Sequence, residues 1–315
     1  MNRESIERAA ERLRPFITRT PMVRSAWLSE RAGASVWLKL ETEQVTGSFK
    51  ARGAMHALLA LKDRAPEVDL VVAASAGNHG QALAWAGSKL GIRVRAYAPA
   101  FAARKKRDNM RALGAEVVET RTYEDAEARA SEDAGRAGVP YISPYNNDDV
   151  IAGQGTVALE MCEDAPEIDT LVIAVGGGGL ISGCAIVAKD RARPLGVLGA
   201  EVEASPVFTA SLAAGAITVV TVRSTLADAL AGNLEAGSRT FPLVQHLVDG
   251  IALVAEASIE TAMRGLKQHH DLVTEGAGAV ATAAVLQGLG LQGRTPGIIV
   301  CGQNVDADAF ARITG

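Results

Sequence analysis

The sequence predicts an α/β protein of parallel sheets, arranged as two lobes around one cleft. Short apolar runs alternate with helical patterns along most of the chain, which is the pattern of strands joined by crossover helices. At 315 residues the chain is long enough for two domains of ordinary size. The polar segment Ser143–Asp149 (SPYNNDD) breaks the alternation without a flexible linker. It reads as the crossing between two lobes that share a cleft.

In chain order, the charged N-terminus MNRESIERAAERLRPF reads as an amphipathic helix rather than a signal peptide. Strands are expected at the short apolar runs Ser35–Leu40, Leu70–Ala74, Arg93–Ala98, Glu116–Glu119, Thr170–Val175, Gly196–Glu201, Ile251–Val254 and Gly297–Cys301. A helix is expected over Ala51–Lys62, after the cap-type residues Thr46, Gly47 and Ser48. Others fall at Gly80–Leu90, Ala103–Leu113, Tyr123–Ala137, Gly153–Met161 and Ser258–His269. Leu171–Ala188 carries no charge and is long enough to suggest a membrane span. Its four consecutive glycines and Gly183 make a poor spanning helix, so it is read as strand, glycine loop and buried helix. No repeat of solenoid period is visible.

Composition excludes several classes. Hydrophobic residues make up 48% and charged residues 22%, as in a soluble globular protein. A net charge of −4 without a long basic run argues against nucleic acid as a partner. Cys162, Cys184 and Cys301 are odd in number and widely spaced. They suit a reducing compartment rather than a disulfide framework or a zinc site. A cytoplasmic location without a membrane partner is expected.

Five segments could carry chemistry. Lys50 lies in TGSFKARGA, where a loop turns into a helix. A cation in the first turn faces the positive end of the helix dipole, which lowers a lysine pKa and frees its amine as nucleophile or base. Ala74-Ser75-Ala76-Gly77-Asn78-His79-Gly80 follows a strand and opens a helix, the place where parallel sheets bind ligands. Its N–H groups suit a carboxylate or an aromatic oxygen. Gly176, Gly177, Gly178 and Gly179 form a phosphate cradle between a strand and a helix. They match neither the dinucleotide fingerprint nor the P-loop. Glu201, ending the next strand, keeps a nicotinamide reading open for this motif taken alone.

Cys301 ends another strand and could face a ligand or fill the core. Glu275, in the glycine-rich helix entry TEGAGA, taken alone reads as a capping or surface carboxylate. His269 and His270 read as surface residues, and no cluster has metal-ligand spacing. An activated lysine, a phosphate cradle and an anion-binding turn together would serve a phosphate-bearing cofactor with an electrophilic carbon. Pyridoxal 5'-phosphate fits that description.

The chain resembles the fold-type II pyridoxal-phosphate enzymes, in the threonine/serine dehydratase (ammonia-lyase) branch related to serine racemase. The motifs run in order over nearly the whole chain: LKLE, TGSFKARGA, ASAGNHGQALA, VIAGQGT, VGGGGLISG, LADALAG, EGAGA and CGQNVD. The resemblance implies two open twisted parallel-sheet domains, tryptophan synthase β-like, with the cofactor in the cleft between them. Residues 1–68 and 147–315 would form the large cofactor-binding domain, and residues 69–146 the small mobile domain. Lys50 would form the Schiff base, with Phe49 beside the cofactor. Asn78 would bond the ring hydroxyl, Gly176–Gly179 the phosphate, and Cys301 the pyridine nitrogen, with Glu275 also at the cofactor. Ser75, Ala76, Gly77, Asn78 and His79 would hold the substrate carboxylate, with Tyr145 near the substrate side chain. A homodimer is expected.

The implied reaction is β-elimination from L-threonine or L-serine, giving a 2-keto acid and ammonia, with freed Lys50 removing the Cα proton. Other β-hydroxy amino acids, such as 3-hydroxyaspartate or a phenylserine, are alternatives, as is serine racemisation. Racemases of this group carry a serine where this chain has Ala76, which favours elimination. Metal-binding relatives place an aspartate where Val207 aligns, so no metal is expected. Ala229 and Gln303 replace common glycines of the family. A regulatory domain, and the feedback control it would bring, are not expected.

Overall fold

The computed structural model describes residues 1–75, 77–100 and 104–315, with the backbone alone at 105, 123, 124 and 137. Its strands, in chain order, are β1 Met22–Arg24, β2 Trp37–Leu40, β3 Leu70–Ala74, β4 Arg93–Pro99, β5 Glu116–Thr120, β6 Thr170–Ala174, β7 Gly196–Val202, β8 Gly250–Val254 and β9 Pro296–Val300. Six build one sheet in the order β1-β2-β9-β6-β7-β8, and three build another in the order β3-β4-β5. Every pairing is parallel except β1 with β2. The central strands β6 and β9 are buried throughout, as parallel strands covered on both faces must be.

The expected strands all form, with ends displaced by at most two residues. The antiparallel edge strand β1 was not expected. It is three residues long and only partly buried, so its sequence carries no alternation, and its pairing to β2 alone defines it. Leu171–Ala188 is β6, a glycine turn and the buried helix Gly179–Lys189. No helix among the described residues is long and apolar enough to cross a membrane.

The expected helix Gly153–Met161 extends over Asp148–Asp164. Asn147 caps it, its side chain accepting from the N–H groups of Asp149 and Val150. Asp148 and Asp149 in the first turn complement the dipole. The last three residues of SPYNNDD, Asn147 to Asp149, are therefore a helix start signal. The expected helix Ala103–Leu113 is seen as Arg104–Ala112, and Ala103 lies outside the described residues.

Three helices lock together around the Asp148–Asp164 helix, which packs on both Lys50–Arg64 and Gly179–Lys189. Glycines allow backbone-to-backbone approach at both crossings. A Cβ on Gly153 would lie 2.6 Å from Arg52 O, and one on Gly183 would lie 2.4 Å from Ile151 O. The apolar face of Lys50–Arg64, including Met55, Leu58 and Leu61, shares a core with Val71, Ala73 and Val94 of the small sheet. The hydrophobic core therefore does not divide at residue 68. Asn78 of the Asn78–Leu90 helix bonds Glu275, at the start of the helix Gly276–Leu286, and Asn304, just past β9.

Candidate active site

The carboxyl ends of four parallel strands converge on one region, where ligands bind in such sheets. β3 leads into Ser75–Asn78, β6 into Gly176–Gly179, β9 into Cys301, and β2 into Glu41 and the Lys50 loop. A bridge between Ser48 and Gly302 ties that loop to the end of β9. The Phe49 N–H donates to Cys301 O at 3.2 Å.

Lys50 is the first residue of its helix. The expected side-chain cap is absent: Phe49 takes the N-cap position without a side-chain bond, and the Thr46 and Ser48 hydroxyls are buried without partners. Part of the Lys50 side chain meets solvent, but its amine is desolvated. Burial lowers its pKa to about 8, against the opposing pull of the Glu275 carboxyl group. Burial, more than the helix dipole expected from sequence, is the cause. Lys50 Nζ donates to Pro144 O at 2.8 Å and lies 5.1 Å from the Phe49 ring centre.

Next along the chain from Pro144, Tyr145 covers the glycine turn. A Cβ on Gly177 would fall inside its ring, 2.2 Å from Cδ1, and one on Gly179 would lie 3.1 Å from Tyr145 Cα. Gly178 has φ +84°, a conformation that suits glycine. The turn thus lies one residue from the carbonyl that holds the Lys50 amine. Tyr145 Oη accepts from the Glu235 N–H at 2.8 Å, and burial with nearby Glu235 keeps the phenol protonated. That hydroxyl accepts from a backbone N–H, which leaves its own proton to donate.

Asn78 is buried, with Oδ1 accepting from Asn304 Nδ2 at 2.7 Å and Nδ2 donating to Glu275 Oε1. One amide N–H remains for a ligand oxygen. Ser75 Oγ accepts from the N–H groups of Gly77 and Gly80, bracing the turn. His79 Nε2 bonds Ile142 O at 2.9 Å, and Nδ1 is buried without a partner. Burial, helped by Lys50, lowers its pKa to about 3. A neutral ring that donates to Ile142 presents only an acceptor, so a carboxylate here needs the backbone N–H groups, not the His79 side chain. Ala76 lies outside the described residues.

Glu275 is neither a surface group nor a side-chain cap. It is buried 3.8 Å from Lys106 Nζ, and burial raises its pKa to about 7. Cys301 Sγ donates to Ala277 O at 3.3 Å, and burial pushes the thiol pKa up. It is a neutral, weak donor. Glu201 does not face a ligand. Its carboxylate accepts from Phe208 N, Thr209 N and Thr209 Oγ1, closing the start of the helix Val207–Ala214. That removes the ribose-acid role which left a nicotinamide reading open. His269 and His270 pack against Trp27, and His270 Nε2 lies 2.8 Å from Ser25 Oγ.

Two residues of this region escape sequence reasoning. Arg52 is fully buried between Glu41 and Glu160, and Glu235 grips the Ser143–Asn146 segment. Neither role shows in the local sequence, because their partners lie far away in it.

The residues fit pyridoxal phosphate. The first N–H groups of Gly179–Lys189 have no intrahelical acceptor, which suits a phosphate. Ser48 Oγ and His79 Nδ1 are buried polar atoms without partners, and such atoms call for a polar occupant.

The chain is similar to known proteins over almost its full length. It is 39% identical to the L-threonine ammonia-lyase of Thermotoga maritima over 311 residues, covering 98% of this chain and 77% of that protein. It is also 39% identical to the catabolic L-threonine dehydratase TdcB of Escherichia coli (strain K12), covering 99% of this chain and 95% of that one. Maize serine racemase superposes with a TM-score of 0.92 at 33% identity, covering 99% of this chain and 96% of that one. The model of the pyridoxal-phosphate dependent enzymes matches residues 13–302. With that match spanning the glycine turn and the buried amine alike, the chain belongs to the pyridoxal-phosphate dependent enzymes, in the fold-type II group its motifs resemble.

Proposed function

We propose that the protein is a pyridoxal-phosphate-dependent ammonia-lyase that converts L-threonine or L-serine to a 2-keto acid and ammonia. The observation that carries this reading is the Lys50 amine: desolvated, with a pKa of about 8, and held at Pro144 O beside the glycine turn. The named lyases of Thermotoga maritima and Escherichia coli support the reaction class.

Bound pyridoxal phosphate supplies an imine-forming carbonyl and an electron sink for charge developing at the substrate Cα. The chain's own residues do the rest. Backbone N–H groups at Gly176–Gly179 would hold the phosphate, and the free Asn78 N–H would hold the ring oxygen. Cys301, as a neutral thiol, would offer the ring nitrogen a weak partner rather than a strong acid. N–H groups of the Ser75–His79 turn would orient the substrate carboxylate. Lys50 Nζ, uncharged over part of the neutral range, would take the Cα proton, with Pro144 O orienting the amine. A small lobe of residues 69–146 is supported by the three-stranded sheet within it, with Lys50–Arg64 packed on that sheet across the boundary at residue 68, and the Asn78 bonds to Glu275 and Asn304 tie it to the rest of the chain.

Two measurements test this reading. Addition of pyridoxal phosphate should give a visible absorption band that borohydride discharges, leaving the label on Lys50. Keto acid release should be fastest from threonine or serine in a panel that includes 3-hydroxyaspartate and phenylserine. Lys50→Ala should lose both signals. No band, or wild-type turnover in Lys50→Ala, would overturn the reading.

A further inference from the structure

Pro144 has no N–H, so it cannot itself anchor the carbonyl that receives Lys50 Nζ. The anchoring comes from both sides of it. Ser143 Oγ donates to Glu235 Oε1 at 2.7 Å, and Asn146 Nδ2 donates to Glu235 Oε2 at 2.7 Å. The Glu235 N–H donates to Tyr145 Oη at 2.8 Å. One residue thus binds Ser143, Tyr145 and Asn146, the three that surround Pro144. Asn146 N also donates to Ser143 Oγ at 3.0 Å, and Asn146 Oδ1 accepts from Arg239 N at 2.9 Å. Together these bonds hold the segment from both sides of Pro144, beyond what turn geometry would do.

We infer that Glu235 is a positioning residue for the lyase reaction: by clamping Ser143–Asn146 it fixes both the Pro144 carbonyl that holds the Lys50 amine and the Tyr145 ring that lies on the glycine turn. The inference rests on Lys50 being the base, as proposed above. Glu235 acts through Pro144 and Tyr145.

The test uses the full chain and three variants: Glu235→Ala, Glu235→Gln, and Ser143→Ala combined with Asn146→Ala. The first readout needs no cofactor. Trace acetylation across a pH series, read by mass spectrometry, gives the half-titration of Lys50 in the apoprotein, near pH 8 for the wild type. Loss of an acceptor that favours the charged amine should lower that point by about half a unit or more in Glu235→Ala. Glu275, Cys301 and His79, the titratable groups that act on or feel Lys50, stay unchanged in every variant. Glu235→Gln should keep the wild-type value, because its amide oxygen can accept from Asn146 while its NH₂ donates to Ser143 Oγ.

In the loaded enzyme, Glu235→Ala should lower kcat about tenfold or more and change KM less than about threefold, since the misplaced group acts in the proton transfer. The double variant should follow Glu235→Ala. It cuts the same two carboxylate bonds from the other side, together with those of Asn146 N to Ser143 Oγ and of Arg239 N to Asn146 Oδ1, and decides the matter if Glu235→Ala does not fold. Wild-type half-titration in Glu235→Ala and the double variant would overturn the inference. So would a Glu235→Gln protein as defective as Glu235→Ala, which would point to charge rather than to the bonds. A wild-type protein that releases no keto acid would sink the lyase reading instead, while the titration would still report on the clamp.

Discussion

Arg52 and Glu41 form a two-armed ion pair in which neither side chain has any exposure to solvent. Arg52 Nε donates to Glu41 Oε2 at 2.8 Å, and Nη2 donates to Glu41 Oε1 at 2.7 Å. The other edge of the guanidinium reaches both oxygens of Glu160, and Nη1 also reaches Thr156 Oγ1. Burial alone would lower the Arg52 pKa, but the two carboxylates outweigh it and raise it. Arg52 stands two residues after Lys50, so this knot pins the start of the catalytic helix to the end of β2 and to the Asp148–Asp164 helix.

Arg52→Ala should therefore be severe. It leaves the buried Glu41 and Glu160 without their main partner, and breaking a buried pair this way costs about 3–5 kcal/mol. Arg52→Lys keeps the charge but loses the planar fork, and a compact ammonium cannot serve both carboxylates in two-armed fashion. It should recover part of the loss, leaving about 1–3 kcal/mol. Urea unfolding midpoints of the apoproteins measure both. Equal stability of Arg52→Ala and wild type would refute the structural role.

Gly183→Ala sets helix propensity against packing. In an exposed helix interior the change favours folding by about 1 kcal/mol. Here the new Cβ would lie 2.4 Å from Ile151 O and 2.7 Å from Gly155 N, both rigid backbone atoms. Over-packing typically costs about 1–3 kcal/mol, so the net change should be destabilising. The helix that begins at the glycine turn should shift with it. Weaker phosphate retention, seen as faster loss of cofactor on dialysis, is the accompanying sign. A stabilised protein would show that the two helices can separate at no cost.

Strand positions were legible because most of the parallel strands are short runs rich in apolar residues; Leu70–Ala74 matches residue for residue. The site segments were legible for the same reason, since they are the turns that end those strands. What the sequence hid is what depends on distant partners. Glu275 reads as a surface acid because nothing nearby in sequence announces its burial against Asn78 of the other sheet's side. Arg52 sits in an amphipathic pattern as a solvated cation would, and its carboxylates arrive from Glu41 and Glu160. Glu235 lies in a loop without periodicity, and its partners are some ninety residues earlier. Side-chain caps failed at Lys50 because the Thr46 and Ser48 hydroxyls are buried without bonding the first N–H groups of the helix.

His79 gives the fold a predictable weakness to acid. Its pKa is about 3 in the folded chain, lowered first by burial and then by Lys50, against about 6.5 when unfolded. The unfolded chain therefore binds a proton first as pH falls. The stability this group contributes is complete above pH 6.5 and is lost progressively toward pH 3. Each pH unit in that window costs up to about 1.4 kcal/mol. His56 is lowered by burial too and adds to the slope, so the comparison must be with a variant. His79→Gln can still donate to Ile142 O without titrating. Its urea stability between pH 6.5 and 5.5 should fall by about 1 kcal/mol less than the wild type's. Parallel curves for the two proteins would mean that His79 is not neutral in the fold.

Ala76 bears on stereochemistry through the chemistry of its side chain. Racemisation needs a proton delivered to the face of Cα opposite Lys50, and a methyl group holds no proton to give. The likeness to maize serine racemase makes the question concrete, since that protein shares the fold across nearly the full chain. Incubation with L-serine should yield pyruvate with D-serine at or below about a hundredth of turnover, as chiral chromatography would show. Ala76→Ser should raise the D-serine fraction about tenfold or more, while the visible absorption band of the loaded enzyme stays in place. If the fraction does not move although cofactor is bound, a second base or a bound water must serve the far face, and the hydroxyl at this position is not what separates elimination from racemisation in this chain.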